Sequence, residues 1–139
     1  MTCLKLPSLA LLGVCFTGCG EDETVTIAGV WKAVELRGIP YPWVDEHDGI
    51  HYAWEVELRI KEDLTAVWWE HLTAMGGPDD YSDYYEYPVD VDEAKVPAYT
   101  VTVPEKNLVL DCELKATELN CTRLAAGIEP DLAVFRFHK

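Results

Sequence analysis

The sequence predicts an all-β fold, an antiparallel barrel or sandwich of eight strands, from three observations. Apolar and polar residues alternate with period two between turn signals, no stretch carries a long helical pattern, and no self-similarity occurs at solenoid spacing. The first strand is expected over residues 29–37. The plainest is 50–61, where Ile50, Tyr52, Trp54, Val56, Leu58 and Ile60 share one face and His51, Glu55, Glu57, Arg59 and Lys61 the other. Strands follow at 64–73, at 84–92 with Tyr85, Tyr87, Val89 and Val91 inward, and at 97–103 with Tyr99, Val101 and Val103 inward. The last three are expected at 107–114, 118–123 and 132–138.

Ahead of these strands, residues 1–18 hold one charge, Lys5, and an apolar run over 6–16 that is shorter than the roughly 20 residues of a membrane-spanning helix. This is the build of a cleaved export signal. Phe16-Thr17-Gly18-Cys19 resembles the bacterial lipobox, with Phe16 where an aliphatic residue is usual. The rival Leu12-Gly13-Val14-Cys15 sets bulky Val14 against the cut and lies too far from the acidic switch. The resemblance implies cleavage before Cys19, lipidation of its thiol, and attachment to a membrane. Two or three acyl chains would make that attachment permanent, because each buried methylene adds about 0.8 kcal/mol. Gly20 stands where an aspartate would signal inner-membrane retention, so the expected location is the cell envelope, at the outer membrane. The chain then divides into a signal peptide (1–18), a lipidated N-terminus and linker (19–28), and one domain (29–139).

With Cys3 and Cys15 removed and Cys19 lipidated, Cys112 and Cys121 remain of the five cysteines. An even pair in an exported chain predicts a disulfide. Setting Cys112 opposite Cys121 also sets Leu114 opposite Leu119 and Leu110 opposite Arg123, with a tight turn at Ala116-Thr117. Cleavage removes Lys5 and no acid, leaving ten basic residues against 25 acidic ones, a formal charge of −15. Such a chain repels phosphate backbones, which excludes nucleic acid as a partner.

Gly29-Val30-Trp31, continuing as Lys-Ala-Val-Glu-Leu, resembles the Gly-x-Trp opening of lipocalins and of lipocalin-like bacterial lipoproteins. The resemblance implies an up-and-down eight-stranded barrel over residues 29–138, with Trp31 closing its floor beneath an arginine from a late strand, Arg136 or else Arg123. It also implies a small apolar or amphipathic ligand. In such a meander the long connections 38–49, 74–83 and 124–131 fall on one rim. The short turns at 62–63, 93–95 and 116–117 fall on the other, where the chain enters. A loop-lined mouth facing away from the anchor is therefore expected, with Tyr41 and Trp43 on the rim and Tyr52, Trp54, Tyr85, Tyr87 and Tyr99 inside. The alternative is a structural or protein-interaction lipoprotein whose interior is filled by its own rings.

Other chemistry finds little support. Asp45-Glu46-His47-Asp48-Gly49-Ile50-His51 gathers ligand types without a specific metal spacing, and the strand pattern from Ile50 argues for a turn there, so neither metal nor cofactor is expected. The chain beyond residue 18 has a single serine, Ser82, with no Gly-x-Ser-x-Gly around it, and no cysteine left free once the bridge forms. No enzymatic activity is expected, the alternative being a surface hydrolase built on paired carboxylates, which 25 acidic residues would also bring together by chance.

Overall fold

The computed structural model describes residues 26–139. Cys19 and the segment expected to be an export signal lie outside the described residues. Ten strands are present: β1 (Gly29–Leu36), β2 (Ile39–Pro40), β3 (Trp43–His47), β4 (Ile50–Ile60), β5 (Thr65–Met75), β6 (Tyr81–Lys95), β7 (Ala98–Val103), β8 (Leu108–Lys115), β9 (Glu118–Arg123) and β10 (Val134–His138). Each of the eight expected strands is among them. Neighbours pair antiparallel from β4 through to β10, β10 pairs with β1, and β1 returns to β4, which closes an eight-stranded up-and-down barrel. Among the described residues no helix is long and apolar enough to cross a membrane.

Closure depends on β1 serving two partners in succession. Gly29 to Lys32 pair with Ile60 to Glu57 of β4, and Lys32 to Leu36 pair with His138 to Phe135 of β10. A bulge between Ala33 and Glu35 inserts one extra residue. Inward positions therefore step from Trp31 and Ala33 to Leu36, and all three are buried.

Alternation places the core. Trp31, Leu58, Val101, Val103, Leu110, Leu119, Phe135 and Phe137 are fully buried and meet along the barrel axis. The lower barrel is thus filled by its own side chains. Cys112 and Cys121 are directly opposed and joined by the disulfide, in the expected register with Leu114 opposite Leu119 and Leu110 opposite Arg123. Both cysteines are buried on the apolar face.

The upper half departs from the expected barrel. Residues 38–49 are not a rim loop. Arg37-Gly38 joins β1 to β2 and Asp48-Gly49 joins β3 to β4, and all four residues have positive φ, the backbone that two-residue type I′ hairpins require. Residues 39–47 form a stave between the splayed tops of β1 and β4. Its first part pairs with β1, where the Tyr41 N–H donates to the Val34 carbonyl at 3.0 Å, and its second pairs with β4 from Trp43↔Trp54 to His47↔Ile50.

Beyond the barrel top, β3, β4, β5 and β6 continue as a four-stranded hood. β7 pairs with β6 only from Asp90 onward, so residues 81–89 lack a β7 partner. Pro88 lies in that stretch, where its missing N–H costs no second ladder. The expected limits 64–73 and 84–92 are therefore too short, because the strands run on to Met75 and begin at Tyr81.

Candidate functional site

Where the filled core ends, the barrel opens into a cup of about 270 Å³ lined by Leu36, Tyr41, Trp54, Trp68, Leu108 and Phe135, with Arg37, Glu70 and Lys106 among its polar residues. The register explains how β4 and β5 supply one wall: Val56 opposes Glu70 and Leu58 opposes Trp68, so inward alternation carries Trp68 and Glu70 up to the cup.

Glu70 is only 5% exposed. Its Oε1 accepts the Trp68 Nε1–H at 2.7 Å and pairs with the Lys106 ammonium at 2.6 Å. Lys106 comes from a 3₁₀ turn at Pro104–Lys106 that ends in Asn107 with left-handed φ, and its Nζ also lies 4.6 Å from the Tyr87 ring centroid. A buried carboxylate persists only when paired and hydrogen-bonded, and Trp68 and Lys106 meet that need. Arg123 caps the same end, donating to the Asn107 carbonyl at 3.3 Å.

Tyr41 stands edge-on to Trp54 with ring centroids 6.2 Å apart. Burial raises its phenol pKa above the ordinary value, the negative charge of Glu70 adds to the rise, and Arg37 offsets part of it. Tyr41 and Val56 also line a second cleft, of about 250 Å³, in the wall between β1 and β4, so the Tyr41 ring borders both spaces. A larger hollow of about 720 Å³ lies outside the barrel over β7–β10, lined by groups such as Asp111, Glu113 and Asn120, and opens broadly to solvent.

The inner face of the hood continues the cup. Trp43, Trp54, Leu72 and Asp83 are in register across four strands, followed by Asp45, Tyr52, Ala74 and Tyr81. On β6 the Tyr81 hydroxyl donates to Asp83 Oδ2 at 2.9 Å and lies 3.1 Å from the Tyr85 hydroxyl. The Tyr81 hydroxyl first, then Asp83, raises the Tyr85 pKa well above the ordinary phenol range, and the same tyrosines, Tyr81 foremost, hold Asp83 below the ordinary carboxylate range.

Of the seven ligand candidates, Tyr41 and Trp54 line the cup, while Trp43, Tyr52 and Tyr85 lie on the hood face above it. Tyr87 packs on the core beneath Lys106. Tyr99 does not reach the cup: it is buried opposite Cys112 in the filled barrel. The stave and the hood frame part of the mouth, while the Arg37-Gly38 and Pro104–Lys106 turns and the expected 124–131 connection lie at the same end.

The floor also corrects the sequence expectation. Trp31 is buried, and its indole N–H donates to the Ile27 carbonyl at 2.7 Å. The cation over its ring is Lys139, 5.0 Å from the centroid, with Nζ held by the Thr26 carbonyl at 3.1 Å. Gly29, at φ +140°, gives the Lys139 stem its passage, because a Cβ there would collide with Cε. Arg136 points outward to Glu35, 3.2 Å from Oε2, and Arg123 sits at the opposite end. Since Phe135 and Phe137 face inward, alternation alone requires Arg136 to face out.

His47 and His51 do not converge. His47 opposes Ile50 and His51 opposes Glu46, which puts them on opposite faces of the β3–β4 hairpin. Residues absent from the sequence reading are Glu70 and Lys106. The adjacent Trp68 and Trp69 concealed which parity of β5 faces inward, and only register resolves it. Comparison of the chain with protein-family models, with curated proteins and with solved structures found no match.

Proposed function

We propose that this is a lipid-anchored envelope protein of lipocalin-like type whose barrel binds a small amphipathic ligand in the cup at its mouth. The cup carries the proposal. It joins an apolar wall of Leu36, Trp54, Trp68, Leu108 and Phe135 to a polar lip of Tyr41, Arg37 and the Glu70–Lys106 pair. At about 270 Å³ and open toward the hood, the cup suits the compact end of an amphipathic molecule. Such a ligand would lay its apolar body on Trp54 and Trp68, turn its polar head to Lys106 and Arg37, and extend against the hood.

The lipid anchor rests on the Phe16–Cys19 motif. The described chain enters at the floor, where Thr26 meets Lys139, so a tether through Cys19 would leave the cup facing away from the membrane. Native mass spectrometry of the mature protein from its own host tests both parts. The expected species begins at an acylated Cys19 and carries a small molecule that the Trp54→Ala variant loses. An unmodified Cys19 would remove the anchor. A bare protein that also binds no amphipathic dye would leave a structural or interaction lipoprotein in its place, which the filled lower barrel favours.

A further inference from the structure

The outer face of the hood brings together three residues that lie far apart in sequence. Trp54, Leu72 and Asp83 face inward in register, so Glu55, His71 and Tyr84, also in register, face outward, and Ser82 joins them opposite Thr73. His71 Nε2 lies 2.9 Å from Ser82 Oγ, and His71 Nδ1 lies 3.6 Å from Glu55 Oε2. The imidazole is clamped. It stacks on Tyr84 at 4.2 Å with 6° between planes, and Trp69 packs 5.8 Å away. Its side chain is 20% exposed.

A carboxylate facing Nδ1 favours the tautomer with the proton there, which leaves the Nε2 lone pair to accept the Ser82 hydroxyl proton. We propose that Ser82 is a nucleophile activated by His71, with Glu55 orienting the imidazole, and that it takes the acyl group of small activated esters. Ser82 Oγ bonds to the ester carbonyl carbon as its proton passes to Nε2. The carbon–oxygen bond to the leaving alcohol then breaks and His71 returns the proton to it. Water, deprotonated by His71, attacks the acyl-serine, releasing the carboxylic acid and restoring the hydroxyl. The 3.6 Å separation from Glu55 shortens when the imidazolium forms and the pair becomes oppositely charged.

The position on β6 also supplies a backbone donor. Pro88 has no N–H, and the Tyr84 N–H donates to Asp83 Oδ1 rather than to β5, so even-numbered amides of this stretch point to the side that β7 leaves uncovered. The Ser82 N–H belongs to that set and can face a developing oxyanion. One donor on an open sheet restricts the site to esters with good leaving groups. The exposed Tyr84 ring offers a shelf for an aromatic ester, beside a Trp69 ring already covered by the Arg59 guanidinium at 4.3 Å.

The test uses the mature chain with a fluorophosphonate probe and with 4-nitrophenyl acetate, the adduct being located by peptide mass spectrometry. A single adduct at Ser82 is expected. Ser82→Ala abolishes it, His71→Ala slows Ser82 labelling at least about 100-fold, the lower bound for a positioned general base, and Glu55→Gln slows it severalfold. Thermal melts matching the parent show that the variants fold. An unlabelled Ser82, or equal labelling in His71→Ala, overturns the proposal.

Discussion

Glu70 is the residue on which the cup's electrostatics turn. It is a carboxylate in an apolar wall, held by one indole N–H and one ammonium. Removing the ammonium leaves an uncompensated buried charge, which costs about 3 kcal/mol or somewhat less here because Lys106 is partly exposed. Lys106→Met should therefore lower the urea midpoint sharply, and adding Glu70→Gln should recover most of the loss. Independent, additive effects would show that the pair is uncoupled. Tyr85 gives a second residue-scale prediction. Its phenol is raised in the folded chain, so the stability it contributes is complete below the ordinary phenol value of about 10 and is lost as pH rises through the raised one. Tyr81→Phe removes the largest cause, and the Tyr85 NMR titration should move back toward the ordinary value. A midpoint unchanged by that substitution would show that the Tyr81 contact does not act on it. Neither Glu70 nor the Tyr81–Asp83–Tyr85 network was legible in sequence: Glu70 follows the ambiguous Trp68-Trp69 pair, and although Tyr85 was read as inward, a strand begun at residue 84 left Tyr81 and Asp83 in a connection.

Strands were legible wherever one face is buried and the other wet. Ile50 to Ile60 is the clearest case, because Trp54, Val56, Leu58 and Ile60 meet the cup or the core while Glu55, Glu57 and Arg59 between them face outward. The segment over residues 39–47 escaped for the opposite reason. Most of it is exposed on both faces, so burial imposes no alternation, and Pro40, Pro42 and the flanking glycines read as loop chemistry. Asp48-Gly49 was nonetheless a hairpin signal in plain view. The β8–β9 hairpin shows what a covalent cross-link adds to an element already in register. Its disulfide spans nine residues of sequence separation, and the loop-entropy model gives about 2.5 kcal/mol. Cys112→Ala with Cys121→Ala should lower stability by about that amount in denaturant titration while far-UV spectra keep their strand signature, because Leu110, Leu114 and Leu119 still pack inward. Loss of the fold would mean that the hairpin depends on the bridge for its register.

At the scale of the whole molecule the barrel divides its labour along its axis. The lower half is solid: Trp31 is sealed by Ile27 and Lys139, and Leu58, Phe137 and Leu119 pack without solvent. The upper half is wedged open by the 39–47 stave, which parts β1 from β4 and leaves room for the cup. Stability and binding should then separate by position. Leu58→Ala, at the floor, should cost about 2–5 kcal/mol through lost burial and the cavity left behind, yet keep the affinity for anilinonaphthalene sulfonate under conditions where the chain is folded. Trp54→Ala, on the cup wall where the ring is only half-buried, should cost less stability and lose most dye binding. Equilibrium denaturation paired with a dye titration on each variant decides the matter. If both substitutions weaken fold and dye binding in proportion, the dye reports loosened packing, and the cup has no binding role separate from the core beneath it.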